Sequence, residues 1–152
     1  MNFYNLSNKP NLLRRITATV IDYLIYGVIV FGYVYVFGKE EDGQWTVTNL
    51  MALPVLLFWI LYFVLLESIN NATPGHDLMK LKVVKLDGSD LDFADAFKRR
   101  ICDLFDFGAW CLPALICVYK TARHQRIGDL LAGTIVVSRE LIVIKEIPSF
   151  RD

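Results

Sequence analysis

Two charged residues, Arg15 and Asp22, lie seven positions apart in a segment that is otherwise apolar. At about 100° per residue, this spacing brings both side chains onto one face of a helix, about 10 Å apart along the axis. An ionised aspartate in hydrocarbon costs about 2.5–3.5 kcal/mol at mid-helix, so we expect both groups to face protein. The distance is too long for a direct bond, and each charge therefore needs its own partner.

Charged residues in the C-terminal half are the candidate partners of this pair. Arg99 and Arg100 precede a third apolar stretch, and Arg126 lies three residues before Asp129. Arg99 and Asp103 are four positions apart on a predicted helix, and this spacing favours a local ion pair that satisfies the aspartate.

Two interpretations of these charges stay open. In the first, ion pairs form a structural contact that docks the third apolar stretch and the tail beneath the first span. In the second, Asp22 is the centre of a proton or ion relay, with Arg15 and Asp129 taking part. The sequence has no residues at metal-ligand spacing and no nucleophile–base arrangement, so we expect no metal, no cofactor and no enzymatic activity.

The composition indicates a single membrane domain. The chain has 152 residues, and 55% of them are hydrophobic, above the roughly 45–50% that is usual for soluble proteins. The formal net charge is zero, which argues against a nucleic-acid partner. The lipid bilayer is the partner that this composition predicts.

Two segments have the length and composition of transmembrane helices. Residues 16–37 carry Asp22 as their only charge, and residues 50–66 carry no charge. A helix needs about 20 apolar residues to cross the hydrocarbon core. We expect Glu67 to end the second span.

A third apolar stretch, residues 101–119, contains Asp103 and Asp106, and only its last 13 residues are uncharged. Runs of 10–14 apolar residues are more often re-entrant, interfacial or buried than spanning. Basic residues flank this stretch on both sides. We therefore favour a hairpin that dips in from the cytoplasm, broken near Gly108 or Pro113, with a third crossing as the alternative.

The distribution of basic residues predicts the orientation. The segment before the first span contains Lys9, Arg14 and Arg15 without an acid, and residues 70–100 contain six basic residues. Lysine and arginine near span ends mark the cytoplasmic side. We expect a multi-pass protein of the cell (inner) membrane with a cytoplasmic N-terminus.

The segment between the second and third apolar stretches has a strand signal. LMKLKVVKLDGSDLDF alternates and then turns at Asp87 and Gly88, which predicts a cytoplasmic β-hairpin. Residues 134–137 and 141–145 are also predicted strands. As an alternative, they could pair with residues 81–85 in a small sheet.

The expected fold is therefore an all-α integral membrane protein with a small β element. Its parts are an N-terminal cytoplasmic segment (1–13), a membrane domain (14–138) and a C-terminal tail (139–152). Two or three helices cannot enclose a pore, so transport of a monovalent cation or proton implies a homo-oligomer or a partner membrane protein. The alternative is a non-catalytic membrane module that binds or organises a partner membrane protein.

Three ordered blocks resemble the RDD family of small membrane proteins, named for one Arg and two Asp. RRITATVIDYLIY resembles the opening block, with Arg15 as the family Arg and Asp22 as the first Asp. ATPGHDLMKLKVVKLDGSDLDFADAFKRR resembles the central block, and RHQRIGDLLAGTIVV resembles the closing block, with Asp129 as the second Asp. The resemblance implies a membrane domain, and ion or proton-coupled transport has been suggested for the family. His76 stands where the family usually has Lys, so a fixed cation becomes one that titrates near neutral pH.

Overall fold

The computed structural model describes residues 11–41, 43–108 and 112–139. Within these residues the chain is mostly helical, with two small antiparallel sheets. The helices are α1 (Leu12–Phe37), α2 (Leu53–Trp59), α3 (Leu66–Asn70), α4 (Pro74–Leu78), α5 (Phe93–Gly108), α6 (Leu112–Lys120) and α7 (Ile127–Leu131), and the strands are β1 (Lys39–Glu41), β2 (Gln44–Thr46), β3 (Leu81–Lys85) and β4 (Thr134–Ser138).

Helix α1 has its polar residues inside and its apolar residues outside. Its buried residues are Arg15, Ala18 and Asp22, which form one stripe along the helix. Large apolar side chains on the other faces are exposed, with Val28 71% and Phe31 73% accessible. A helix of a soluble protein shows the opposite distribution. This 26-residue helix is long and apolar enough to cross a membrane.

The second candidate span is the continuous helix Leu50–Asn70, which contains α2 and α3. A π-helical turn, Ile60–Leu65, separates α2 from α3 and buries three consecutive side chains. The expectation that Glu67 ends this span is wrong. The helix continues because the carboxylate is fully buried among arginines, and it ends where Asn71 adopts a left-handed conformation with φ 55°.

Aromatic side chains fill the space between the two candidate spans. The ring of Phe63 lies 4.9 Å from that of Tyr23 and 5.4 Å from that of Tyr26, measured between centroids. The Tyr26 ring also stacks on Phe58, and its hydroxyl donates to the carbonyl of Val55 at 3.2 Å. These contacts fix the two helices side by side without bringing their backbones close together.

Strand β3 pairs with β4 in antiparallel register, with Val83 opposite Val136. The predicted local hairpin is therefore wrong, whereas the alternative pairing of residues 81–85 with residues 134–137 is confirmed. After the turn at Asp87 and Gly88 the chain enters α5, because the aspartate-rich sequence that follows cannot supply a buried partner for this strand. Residues 141–145 lie outside the described residues.

The third apolar stretch forms two helices. Helix α5 ends at Gly108, and α6 begins at Leu112 with Pro113 in its first turn. Within the described residues, only Leu12–Phe37 and Leu50–Asn70 pass the length and hydropathy test for a span. Residues 109–111 lie outside the described residues, so the hairpin and its dip into the membrane stay a prediction.

One hydrophobic core joins the spans to the remainder of the chain, which we call the cap (residues 71–139). Ala18 of α1 and Val64 of the second span belong to the same core as apolar residues of the cap. The other members of this core are Leu81 and Val83 of β3, Leu91, Ala96 of α5 and Val136 of β4. The cap therefore packs directly against both candidate spans.

Candidate functional site

Charged side chains occupy the space between the spans and the cap. Four arginines and four carboxylates there balance in formal charge, and every one except Arg126 is less than 9% exposed. Burial of so many charges is tolerable only where each is paired. The residues are Arg15, Asp22, Glu67, Arg99, Arg100, Asp103, Arg126 and Asp129.

Asp129 connects the first span to α5 and α7. Its Oδ2 accepts from Nη2 of Arg15 at 2.6 Å, and its Oδ1 accepts from Nη1 of Arg99 at 2.6 Å. Burial raises the pKa of Asp129, but the nearby Arg99, Arg15 and Arg126 outweigh burial and hold the pKa well below its usual range. The carboxylate is therefore a permanent anion that binds two helices.

Local sequence places Asp129 for this role. It is the third residue of α7, and its carboxylate accepts from the backbone N–H of Arg126 at 3.0 Å, as in a helix cap. A Cβ at Gly128 would lie 2.7 Å from the carbonyl oxygen of Arg99. Only glycine at this position lets α7 approach the α5 backbone closely enough.

Glu67 is the functional candidate that sequence reasoning missed. It accepts from Nη2 of Arg100 at 2.9 Å and from Nε of the same side chain at 3.1 Å, with Nη2 of Arg99 at 3.4 Å. Two adjacent arginines that precede an apolar stretch require acidic partners if they are buried. This requirement is the sequence signal that could have indicated Glu67. The guanidinium of Arg100 also lies 5.1 Å above the Phe63 ring.

Asp103 binds Arg100 and Arg126. Its carboxylate lies 2.9 Å from Nη1 of Arg100 and 3.2 Å from Nη1 of Arg126. The predicted pair of Arg99 with Asp103 is wrong, because Arg99 points instead to Glu67 and Asp129. Three-residue spacing places Arg100 on the same helix face as Asp103 just as well as four-residue spacing would.

The charge state of Arg100 follows from these contacts. Burial lowers the pKa of Arg100, but Glu67 and Asp103 outweigh it, and the pKa lies above its ordinary value. The same balance raises the pKa of Arg126, since burial is outweighed by Asp103 and Asp129. These arginines therefore keep their charge in the interior.

Asp22 lies in a separate cluster with no arginine in it. Its Oδ2 accepts from the Thr73 hydroxyl at 2.5 Å, and its Oδ1 accepts from the N–H of Gly75 at 2.7 Å and from the Tyr62 hydroxyl at 3.2 Å. Nδ1 of His76 lies 3.3 Å from Oδ2. A backbone N–H and three side chains thus surround the carboxylate.

The first turn of α4 forms most of this cluster. Thr73, Pro74 and Gly75 form the start of this helix, which holds the carboxylate of Asp22. A Cβ at Gly75 would lie 2.3 Å from the carbonyl oxygen of Ala18 and 2.9 Å from Oδ1 of Asp22. Contact between α4 and α1 therefore requires glycine here.

His76 is the buried group of this cluster whose ordinary pKa lies near neutral pH. Its Nδ1 lies 2.7 Å from Oγ1 of Thr73, besides its contact with Asp22. Burial lowers the pKa of His76 below its ordinary value; Asp22 and Glu67 oppose this shift, and Arg100 adds to it. The imidazole is therefore held mainly neutral near pH 7.

The structure divides the predicted set of Arg15, Asp22 and Asp129 into two parts. Arg15 and Asp129 bind each other, and a second N–H of Arg15 donates to the carbonyl of His124. Asp22 binds neither of them, and none of the arginines proposed as its partner contacts it. His76 is the titratable side chain that contacts Asp22. Among the residues that the structure describes, no group of three His, Cys, Asp or Glu has the arrangement of a metal site.

Comparison with known proteins agrees with these features. The RDD family model matches residues 9–133, which is most of the chain. No curated protein and no solved structure matches the sequence. The family and the two apolar helices together support a membrane protein. The chain belongs to the RDD family.

Proposed function

We propose that this chain is a non-catalytic membrane module that presents its cap at the membrane surface and organises a partner membrane protein or a second copy of itself. In this proposal, α1 and the helix Leu50–Asn70 cross the cell (inner) membrane. The N-terminus and the cap face the cytoplasm, in agreement with the basic residues around the spans.

The closed ion-pair network is the observation that supports this proposal. We call it the clasp, and it comprises seven of the eight buried charges. Each of its carboxylates has at least two guanidinium partners, so no acid of the clasp is left available for a transported cation. Buried ion pairs of this kind fix geometry where the charges are paired. Every arginine of the clasp contacts a carboxylate, although Nε of Arg99 and Nε and Nη2 of Arg126 have no hydrogen-bond partner among the described residues. The clasp residues are Arg15, Glu67, Arg99, Arg100, Asp103, Arg126 and Asp129.

An apolar groove between the candidate spans is the surface that we propose for the partner. Its volume is about 520 Å³, and Tyr26, Val30 and Val34 of α1 form one of its walls. Val55 and Trp59 of α2 lie on the opposite wall. A transmembrane helix with small or flat side chains would fill such a groove by van der Waals packing.

Photo-crosslinking in cells tests the partner role. A photoreactive amino acid at Val30 or Val55 is expected to yield one dominant protein adduct, either with a second copy or with one membrane protein. The matched control is Val28, which lies on the exposed surface of α1 outside the groove. The same adduct pattern from the control position, or no protein adduct from the groove positions, would reject this role.

A second candidate function is movement of protons at Asp22 and His76. It is favoured by one contact, the 3.3 Å approach of a titratable imidazole to a buried carboxylate. Purified protein in vesicles would then dissipate a pH gradient, and His76→Gln would abolish this flux. His124→Gln is the matched histidine control. No flux above that of empty vesicles from the native chain would reject this candidate.

A further inference from the structure

The exposed side of α5 carries a row of large apolar side chains. Phe93, Phe97 and Ile101 follow one another at four-residue spacing and therefore lie on one side of the helix. They are 49%, 37% and 39% exposed, and the two phenylalanine rings stack with their centroids 6.2 Å apart. We call these three residues the α5 stripe.

The opposite side of α5 carries the charges. Arg99, Arg100 and Asp103 are buried in the clasp, and Ala96 packs in the core beside the spans. Helix α5 therefore resembles α1, because it buries three charged groups and exposes large apolar side chains. In a protein surrounded by water, this arrangement would leave aromatic rings in the solvent.

We propose that the α5 stripe is inserted into the interfacial layer of the lipid bilayer, so that α5 is a third lipid-contacting element of the fold. This inference rests on the proposed membrane placement of the two candidate spans. An amphipathic helix in this position lies along the membrane plane, with its apolar face below the headgroups.

Two observations favour lipid as the occupant of this surface. Helix α5 packs against the π-helical turn Ile60–Leu65 of the second span, where Leu61 is 50% exposed. Helix α5 therefore lies beside an element that also exposes a large apolar side chain. Lys98 borders the stripe with its side chain 58% exposed, and a lysine there can extend its ammonium group to lipid phosphates.

Average hydropathy does not detect this element because the clasp lies on the same helix. The charges of Arg99, Arg100 and Asp103 lower the apolar content of α5, yet none of them faces outward. Their ion pairs within the protein remove the cost that a sequence-based test assigns to them. A helix can thus contact lipid while failing the criterion for a span.

Fluorescence quenching tests the inference. Single-cysteine variants Phe97→Cys and Ile101→Cys, with Cys102, Cys111 and Cys117 replaced by serine, would carry the environment-sensitive dye NBD. The labelled full-length chain is reconstituted in vesicles of phosphatidylcholine and phosphatidylglycerol. We expect lipids with a nitroxide near the headgroup to quench both labels several-fold more strongly than aqueous iodide does.

Two further positions make every outcome decisive. A label at Asp87, in the exposed turn after β3, should show the reverse preference, and a label at Leu24, 62% exposed on α1, should be quenched by lipid. Iodide quenching alone at both stripe positions, or protection from both quenchers by a covering protein, would overturn the inference. If Leu24 also fails to respond to lipid nitroxides, the proposed membrane placement is wrong as well.

Discussion

The clasp and the Asp22 cluster bury carboxylates in opposite ways. Asp129 is bound by two arginine side chains, which keep their charge at any physiological pH. Asp22 is bound by neutral donors and by one imidazole whose charge depends on pH. The comparison teaches that the chain joins α1 to α5 and α7 permanently, whereas it joins α1 to α4 through a contact that responds to protons.

The largest expected effect is at Asp129. Asp129→Ala leaves the guanidinium groups of Arg15 and Arg99 without their shared acceptor, and loss of one partner of a buried ion pair costs about 3–5 kcal/mol. The free energy of unfolding in detergent micelles, measured with a denaturant, checks this value. Asp87→Ala is the control, since this exposed carboxylate accepts only from Ser89 among the described residues, and it should change stability by about 1 kcal/mol or less.

Gly75→Ala should have the next largest effect. The added methyl group would lie 2.3 Å from the carbonyl oxygen of Ala18, so α4 must move away from α1. Overpacking of this kind costs about 1–3 kcal/mol. Gly27→Ala is the matched control on the same helix as Ala18, because nothing lies within 4 Å of its added methyl. Equal stability of the two variants would contradict the close contact of α4 with α1.

Asp22→Asn should cost less than the corresponding change Asp129→Asn. The amide oxygen can still accept from Gly75 and Tyr62, and no guanidinium loses a counter-charge, so we expect about 1–2 kcal/mol. For Asp129→Asn, two buried arginines lose their shared anion. Thermal unfolding of both variants side by side is the measurement, and a larger loss from Asp22→Asn would reverse the comparison drawn above.

The smallest expected effect is the pH dependence of the Asp22 cluster. Burial lowers the pKa of His76 in the folded state, so below about pH 6.5 the unfolded chain binds a proton that the folded chain does not. Stability should therefore be complete above this pH and fall as the pH drops below it, by at most about 1.4 kcal/mol per pH unit. His76→Asn should flatten this dependence below about pH 6.5.

The clasp should not contribute to the pH dependence of stability just below pH 6.5. The pKa of Asp129 is held well below its usual range, so its stabilising effect is lost only at much more acidic pH. An unchanged pH profile in His76→Asn would assign the dependence to another group and would contradict the titratable contact. Gly27→Ala is the control, since nothing lies within 4 Å of its added methyl, and its profile should match that of the native chain.

Some of the fold follows from the sequence because the signals are local. The apolar length of residues 16–37 and 50–66 predicts both candidate spans, and the structure contains both helices. The seven-residue spacing of Arg15 and Asp22 predicts one buried face and separate partners, as found. The pairing of residues 81–85 with residues 134–137 could be named only as an alternative, since turn chemistry favoured the nearer hairpin.

The partners themselves could not be predicted, because they join positions far apart in the sequence. Glu67 has the position of a helix-ending charge until Arg99 and Arg100 are placed beside it by the packing of α5. The local rule for Arg99 and Asp103 assumes an isolated helix, whereas a buried carboxylate on another element competes better for the same arginine. The contact of α4 with Asp22 depends on the close approach of Gly75 to α1, which no local sequence signal indicates.

A double-mutant cycle on Arg15 and Asp129 tests whether a buried ion pair joins the first span to the cap. Arg15→Gln, Asp129→Asn and the double variant are unfolded in the same micelles, and the coupling free energy is taken from the four stabilities. A direct buried pair at 2.6 Å predicts a coupling of about 0.5–3 kcal/mol. Effects that add within about 0.3 kcal/mol would show that the two side chains do not interact, and would contradict the pairing from which the clasp is built.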